Sequence, residues 1–229
     1  MIAVTSASLA QSRVDALFRR DARGRLVEIN QWDGGVAPRF FLMRTADGAI
    51  MRFRHDVRED LAGGLRALAR SEPIALAPRP AFEPEYLELL TPVERVWAGP
   101  VFVFAHDPPP AADVVVIDDT NADLLADGFD DWLADVPHQR PFMARVEAGK
   151  AVSICASVRI SDAVHCAGVE TLPGFRGKGH ASAVVAAWAA AVRALGAAPF
   201  YSTSWDNLAS QGVARRLGMT LAAVDFHVT

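Results

Sequence analysis

The stretch Phe175-Arg176-Gly177-Lys178-Gly179-His180-Ala181 constrains this chain more than any other. Upstream of it, residues 163–172 are rich in valine and small apolar side chains and read as a strand, closed by Pro173 and Gly174 as turn residues. Downstream, Val184, Val185, Trp188, Val192 and Leu195 recur at three- and four-residue steps among alanines, the pattern of a helix with a buried face, and Gly196 supplies its stop. Strand, glycine loop and helix therefore follow one another. At a helix start the first N–H groups have no intrahelical partner and the helix dipole places partial positive charge there, so an anion is favoured. Gly177 and Gly179 let a phosphate approach the backbone, while Arg176 and Lys178 add charge beside it. The expected ligand is phosphorylated.

Two other glycine loops do not fit. The phosphate loop of nucleoside triphosphatases ends in Gly-Lys followed by Ser or Thr, but Lys178 is followed by Gly179, and the dinucleotide fingerprint needs three spaced glycines. What remains is Arg-x-x-Gly-x-Ala, carried by Arg176, Gly179 and Ala181 after the strand ending Val169-Glu170-Thr171-Leu172-Pro173. This resembles the acetyl-CoA loop of the GNAT superfamily of N-acetyltransferases. A second resemblance follows downstream, where Trp205-Asp206-Asn207-Leu208-Ala209-Ser210 runs on through Val213-Ala214-Arg215-Arg216-Leu217-Gly218-Met219. It is similar to the family's next motif, in which an Asn opens a short helix closing in Leu-Gly-Phe or Leu-Gly-Met. The resemblance covers residues 113–229.

The remainder of the chain sets the frame for that unit. The composition, 51% hydrophobic with much of it alanine, is that of a soluble globular protein, and no apolar run approaches the ~18 residues of a membrane span. Residues 1–10 lack a basic leader, so a cytoplasmic protein is expected, with no membrane partner. A net charge of −4 argues against a general nucleic-acid binder, although a local basic pocket is compatible with it. Cys155 and Cys166 read as reduced core residues, and the six histidines show no zinc spacing, so no metal is expected. Residues 13–23 suggest a charged helix, 26–30, 39–45 and 49–54 strands, and 60–69 a further helix. The proline-bearing segment 73–92 reads as extended or irregular, and 99–105 as a strand.

The expected class is therefore α/β with a mixed sheet: a smaller mixed region over residues 1–107, and the GNAT-like unit over 113–229. The first is either a degraded relative of the second or a family-specific cap. The break is placed at His106-Asp107-Pro108-Pro109-Pro110. In the second unit, residues 114–117 read as a strand and 124–133 as one helix with Leu124, Leu125, Phe129, Trp132 and Leu133 on its apolar face. Residues 142–147 and 151–160 form a hairpin turned at Gly149-Lys150, and a last apolar run spans 221–228.

The resemblance implies direct transfer of an acetyl group from acetyl-CoA to a primary amine on a small-molecule or protein acceptor. In the family the pyrophosphate lies over the loop, here Gly177 to Ala181 with His180 contributing its N–H, and the pantetheine arm runs beside the preceding strand. Backbone groups of Val169, Thr171 and Leu172 would meet that arm, and Asn207 would cap its helix and contact the cofactor. An amine attacks only when uncharged, so a base is needed. Glu170 and His165 are the candidates, but strand alternation gives them opposite parity and at most one serves. Many members protonate the departing thiolate with a tyrosine whose position here is Ala214; Tyr201, Ser210 or water would take that role. The departure at Ala214 keeps open a non-catalytic acyl-CoA-binding protein, and beyond that a structural or interaction module. The final strand ends at the chain terminus, so either the sheet is shorter here, or another segment of the chain or a second subunit, in a homodimer, covers its edge.

Overall fold

The structure, a computed structural model, describes residues 6–107 and 113–229. The proline run Pro108–Pro110 at which the sequence places the domain boundary lies outside the described residues, as do residues 1–5. In chain order the elements begin with α1 (Ser6–Leu17), β1 (Phe18–Arg20), β2 (Leu26–Ile29), β3 (Phe40–Thr45), β4 (Gly48–Phe53), α2 (Glu59–Ser71), α3 (Glu83–Leu89) and β5 (Val96–Phe104). There follow β6 (Val114–Val116), β7 (Phe142–Glu147), β8 (Lys150–Ile160), β9 (Val164–Thr171), α4 (His180–Ala194), β10 (Ala198–Ser202), α5 (Leu208–Arg216) and β11 (Met219–Val228). The fold is mixed α/β, as expected. Two compact units form: Met1–Phe102 with Ser202–Gln211 and Leu221–Thr229, and Val103–Tyr201 with Gly212–Thr220.

In the first unit β3 lies between β4 and β11, antiparallel to both. All six of its residues are buried, as a strand covered on both faces requires. Phe40 and Leu42 enter a core with Leu65 of α2, Tyr86 of α3 and Phe226 of β11, while Phe41 meets Phe18 edge-on. The helix expected over 13–23 ends instead at Leu17, because residues 18–20 pair with β2 and the Asn30 amide donates to the Ala16 carbonyl at the helix end. The segment 73–92 is not wholly irregular, since it contains α3. Its proline, Pro84, stands in the first helical turn, where a missing N–H costs nothing, and Tyr86 anchors the helix in the core.

β11 also carries His227, whose ring stacks on Trp97 at 5.1 Å. Burial, with Arg95 nearby, pushes its pKa down from 6.5 to about 4. A histidine kept neutral by the fold but free to protonate when unfolded adds stability that is fully present above pH 6.5 and is lost as pH falls toward 4. This group alone is expected to remove ~3 kcal/mol of unfolding free energy across that window. Urea midpoints measured against pH should flatten in His227→Phe, which keeps the stack; parallel profiles in the two proteins would show that the histidine titrates as a solvated one.

In the second unit the strand order is β10-β9-β8-β7-β6, with β10 parallel to β9 and the other pairs antiparallel. α4 buries Val184, Val185, Trp188 and Val192, as its periodicity predicts, whereas Leu195, expected on the same face, stands at the C-cap and is exposed. The single helix expected over 124–133 is replaced by two short 3-10 helices, Ala122–Leu125 and Asp130–Asp135. Asp127 between them has φ of 64°, a left-handed conformation that no α-helix passes through. Leu125, Phe129 and Val136 still reach a core with Phe142, Ile154 and Ala156, so the apolar spacing is satisfied without one continuous helix. The β7–β8 turn falls on Ala148 and Gly149, both at positive φ, one residue before the expected place.

Candidate active site

The backbone of β9 is paired on one side and partly open on the other. Along β8 the register runs from Ser153 opposite Thr171 to Ile160 opposite His165. Along β10 it comprises Ala198–Val164, Pro199–His165 and Phe200–Cys166, and no further pair forms among the described residues. The Leu172 N–H donates to the Val152 carbonyl at 3.0 Å and the Glu170 carbonyl accepts from Ser153 Oγ at 3.2 Å, so these peptide groups face β8. By alternation the N–H and C=O groups of Val169 and Thr171 face the side that β10 has left. There the Thr171 carbonyl accepts from Arg176 Nε at 3.1 Å, which folds the loop back over the strand end.

The loop begins with one 3-10 turn, Pro173–Phe175, and passes through Arg176 in extended conformation. Gly177 and Gly179 have φ of 78° and 88°, which glycine adopts without strain, and a Cβ built at either would meet no atom within 4 Å. α4 starts at His180 with no side-chain cap and no acidic residue in its first turn. The N–H groups there are thus left for an anion. Lys178 Nζ lies 4.8 Å from the centre of the Phe175 ring, and Arg216 Nη1 lies 3.5 Å from Ser182 Oγ in the same first turn. His180 is buried; its Nε2 is 3.1 Å from Glu147 Oε1, in an orientation that makes no hydrogen bond.

The candidate catalytic side chains separate. Glu170 is exposed, and its Oε2 accepts from Trp132 Nε1 at 2.7 Å. His165 is buried on the opposite face, where Trp188 Nε1 donates to Ser157 Oγ at 2.9 Å and Ser157 Oγ lies 2.8 Å from His165 Nδ1. The Ser157 hydroxyl thus links the Trp188 indole to the imidazole, and burial lowers the His165 pKa, so this ring belongs to a core hydrogen-bond chain. Tyr201 on β10 is 2% exposed, which leaves its ring as core. Asn207 Oδ1 accepts from the Ser210 N–H at 3.0 Å, the N-cap expected for α5, and both residues belong to the first unit, not to that of β9 and the loop.

The model of the FR47-like protein family matches residues 146–228, from the end of β7 through β11. That segment, about a third of the chain, is similar to the FR47-like family. No curated protein matches the chain. Among solved structures, a GNAT-family acetyltransferase from Colwellia psychrerythraea is similar at 14% identity over 100% of this chain and 98% of its own, with a TM-score of 0.49. A GCN5-related N-acetyltransferase-like protein from Streptococcus suis shows 17% identity over 84% and 85%, TM-score 0.49. A GNAT-family protein from Novosphingobium aromaticivorans shows 17% over 59% of this chain and 65% of its own, just under two thirds, TM-score 0.47. At such identities a shared fold does not fix the reaction.

Within residues 146–228 the open edge of β9 runs directly into the glycine loop and the uncapped start of α4. An extended chain with amide groups has backbone partners along the strand, and a phosphate at its end has N–H groups and cations at the loop. Trp132, Ser157 and Arg216 take part in this arrangement without having been marked by the sequence. Arg216 had the clearest signal, as a basic residue in the last turn of the motif helix.

Proposed function

We propose that this chain is an acetyl-CoA-dependent N-acetyltransferase acting on a primary amine of a small-molecule or protein acceptor. The observation that supports it best is the continuity of three features: the edge at Val169 and Thr171 that β10 leaves without a strand partner, the two open glycines, and the α4 N-terminus without a side-chain cap. The residues present fit an acyl-CoA, because the space a Cβ would take at Gly177 and Gly179 is empty of protein atoms and their neighbours are cationic. Bound there, it would supply an activated thioester whose acyl carbon an amine nitrogen attacks.

The residues divide the work as follows. Arg176, Lys178 and the N–H groups from Gly177 to Ala181 hold the phosphates. The Val169 and Thr171 peptides orient the amide-bearing arm, and an N–H on that edge polarises the thioester carbonyl. Glu170, oriented by Trp132, takes the proton from the amine directly or through water. Ala214 is buried at 1% exposure, so no side chain at that position meets the leaving thiolate, which departs unaided or takes a proton from water. The same residue favours one other reading, a protein that binds acyl-CoA without turning it over.

Calorimetric titration of acetyl-CoA and CoA tests the cofactor site. The wild type is expected to bind both, and Gly179→Trp, which fills the open space, to bind about a hundredfold more weakly or not at all; thermal melting of the variant checks that it is folded. Equal binding in a folded variant would move the site elsewhere. Release of free thiol in the presence of an amine library then separates the enzyme from the non-catalytic binder.

A further inference from the structure

In the first unit a cavity of about 370 Å³, lined by none of the residues used so far in the chain's chemistry, is walled by six arginines. Arg20 comes from the end of β1, Arg23 and Arg25 from the turn that joins it to β2, Arg52 from β4, and Arg66 and Arg70 from one face of α2. Phe53 forms the floor, with the Arg25 and Arg66 guanidiniums 5.6 and 5.3 Å from its ring centre. Three carboxylates lie near these six cations. Asp15 pairs with Arg20 at 2.6 Å, Glu59 is shared by Arg25 and Arg66, and Asp21 accepts the backbone N–H groups of Arg23 and Arg25. Arg70 and Arg23 close no ion pair among the described residues.

Such a wall works against itself unless something offsets it. Half-buried Arg52 spends its two terminal nitrogens on the Met51 carbonyl and Gln11, neither of them charged, and its Nε is buried with no partner among the described residues. Burial and the neighbouring Arg20 charge both pull the Arg52 pKa below its ordinary value, as expected where positive charge is under-compensated. The chain as a whole is acidic, at −4, so this concentration is local. Guanidiniums on three sides of a concave surface match an anion with oxygens pointing several ways, and a flat carboxylate would engage only one of them at a time.

We propose that this cavity is a binding site for a polyphosphate group, with two or more linked phosphates. The site is separate from the acyl-CoA reading and stands without it. Inorganic tripolyphosphate titrated into the full chain should bind once per chain, weakening steeply as salt rises from 50 to 300 mM on the order set by charge screening. Arg23→Ala with Arg70→Ala, both exposed and thus harmless to folding, should weaken it about tenfold or more. Arg58→Ala, an exposed arginine outside the cavity, should leave it within about twofold. Gly179→Trp distinguishes this cavity from the loop, and is expected to bind tripolyphosphate as the wild type does. Adenosine triphosphate separates the two sources of the group: equal affinity assigns the inorganic chain, tighter binding a nucleoside polyphosphate, and both uphold the cavity. No binding by the wild type, loss in Gly179→Trp but not in the double arginine variant, orthophosphate binding as tightly as tripolyphosphate, or a single-stranded oligonucleotide binding more tightly than either, would each overturn it.

Discussion

Replacing Glu170 by Gln is expected to lower kcat/KM for an acceptor amine by about a hundredfold or more, with the affinity for acetyl-CoA changed by no more than about twofold. The substitution is close to isosteric, and the Gln oxygen still accepts the Trp132 Nε1–H that now meets Glu170 at 2.7 Å. What disappears is the charge and the capacity to take a proton. Trp132→Phe tests the other half of the arrangement. It keeps a ring against Phe142, whose centre lies 5.9 Å from that of Trp132, but removes the donor, so the carboxylate remains and loses its fixed orientation. A loss of about tenfold in kcat/KM, smaller than that of Glu170→Gln, is expected. Full activity in Glu170→Gln would reduce the carboxylate to a structural partner of Trp132. His165 is no substitute, since it sits in the Trp188–Ser157–His165 chain on the opposite face.

What the sequence made legible follows from how local each feature is. The glycine loop was readable because its determinants lie within a few residues: two glycines at positive φ, flanking cations and the start of a periodic apolar helix. Strand parity likewise separates His165 from Glu170, and the register irregularity between β8 and β9 falls on β8. There Ser157 faces Ala167 and Arg159 faces Cys166, so Val158 is the extra residue and β9 keeps its alternation. Gly168 opposite leaves the room, for a Cβ on it would come within 2.2 Å of the Val158 side chain. A left-handed Asp127 broke one expected helix into two turns; the Asp127-Gly128 pair was a local turn signal that the apolar spacing overrode. The other misses are non-local. The arginine cavity draws on segments up to 50 positions apart in sequence, from Arg20 to Arg70, which looked like ordinary surface charges one at a time. The final strand read as an edge that another segment or a second subunit would cover, and the segment is β3, paired from Val228–Phe40 to Ala223–Thr45; nothing in the sequence named it.

That pairing places Asp225 where its loss should be costly. Asp225→Ala is expected to destabilise the first unit by about 3–5 kcal/mol, read from urea midpoints. Asp225 and Arg13 are 3% and 1% exposed, and Arg13 Nη1 lies 2.8 Å from Asp225 Oδ2. Burial raises the carboxyl pKa and the arginine pulls it the other way, two opposed effects that make the pair poor as a source of net stability and expensive to break. Removing the aspartate strands a buried guanidinium. Removing both charges does not, and Arg13→Met with Asp225→Leu is expected to recover to within about 1–2 kcal/mol of the wild type. The exposed pair Arg58–Asp60, at 2.7 Å, is a control of equal geometry: with its side chains 81% and 67% exposed, Asp60→Asn should shift stability by less than about 1 kcal/mol. If Asp225→Ala costs no more than Asp60→Asn, Arg13 reaches water or another acceptor once its partner is gone. If the double variant stays as unstable as the single, the ion pair is needed to hold α1 in place against β11, and burial of charge is then the condition for docking the helix.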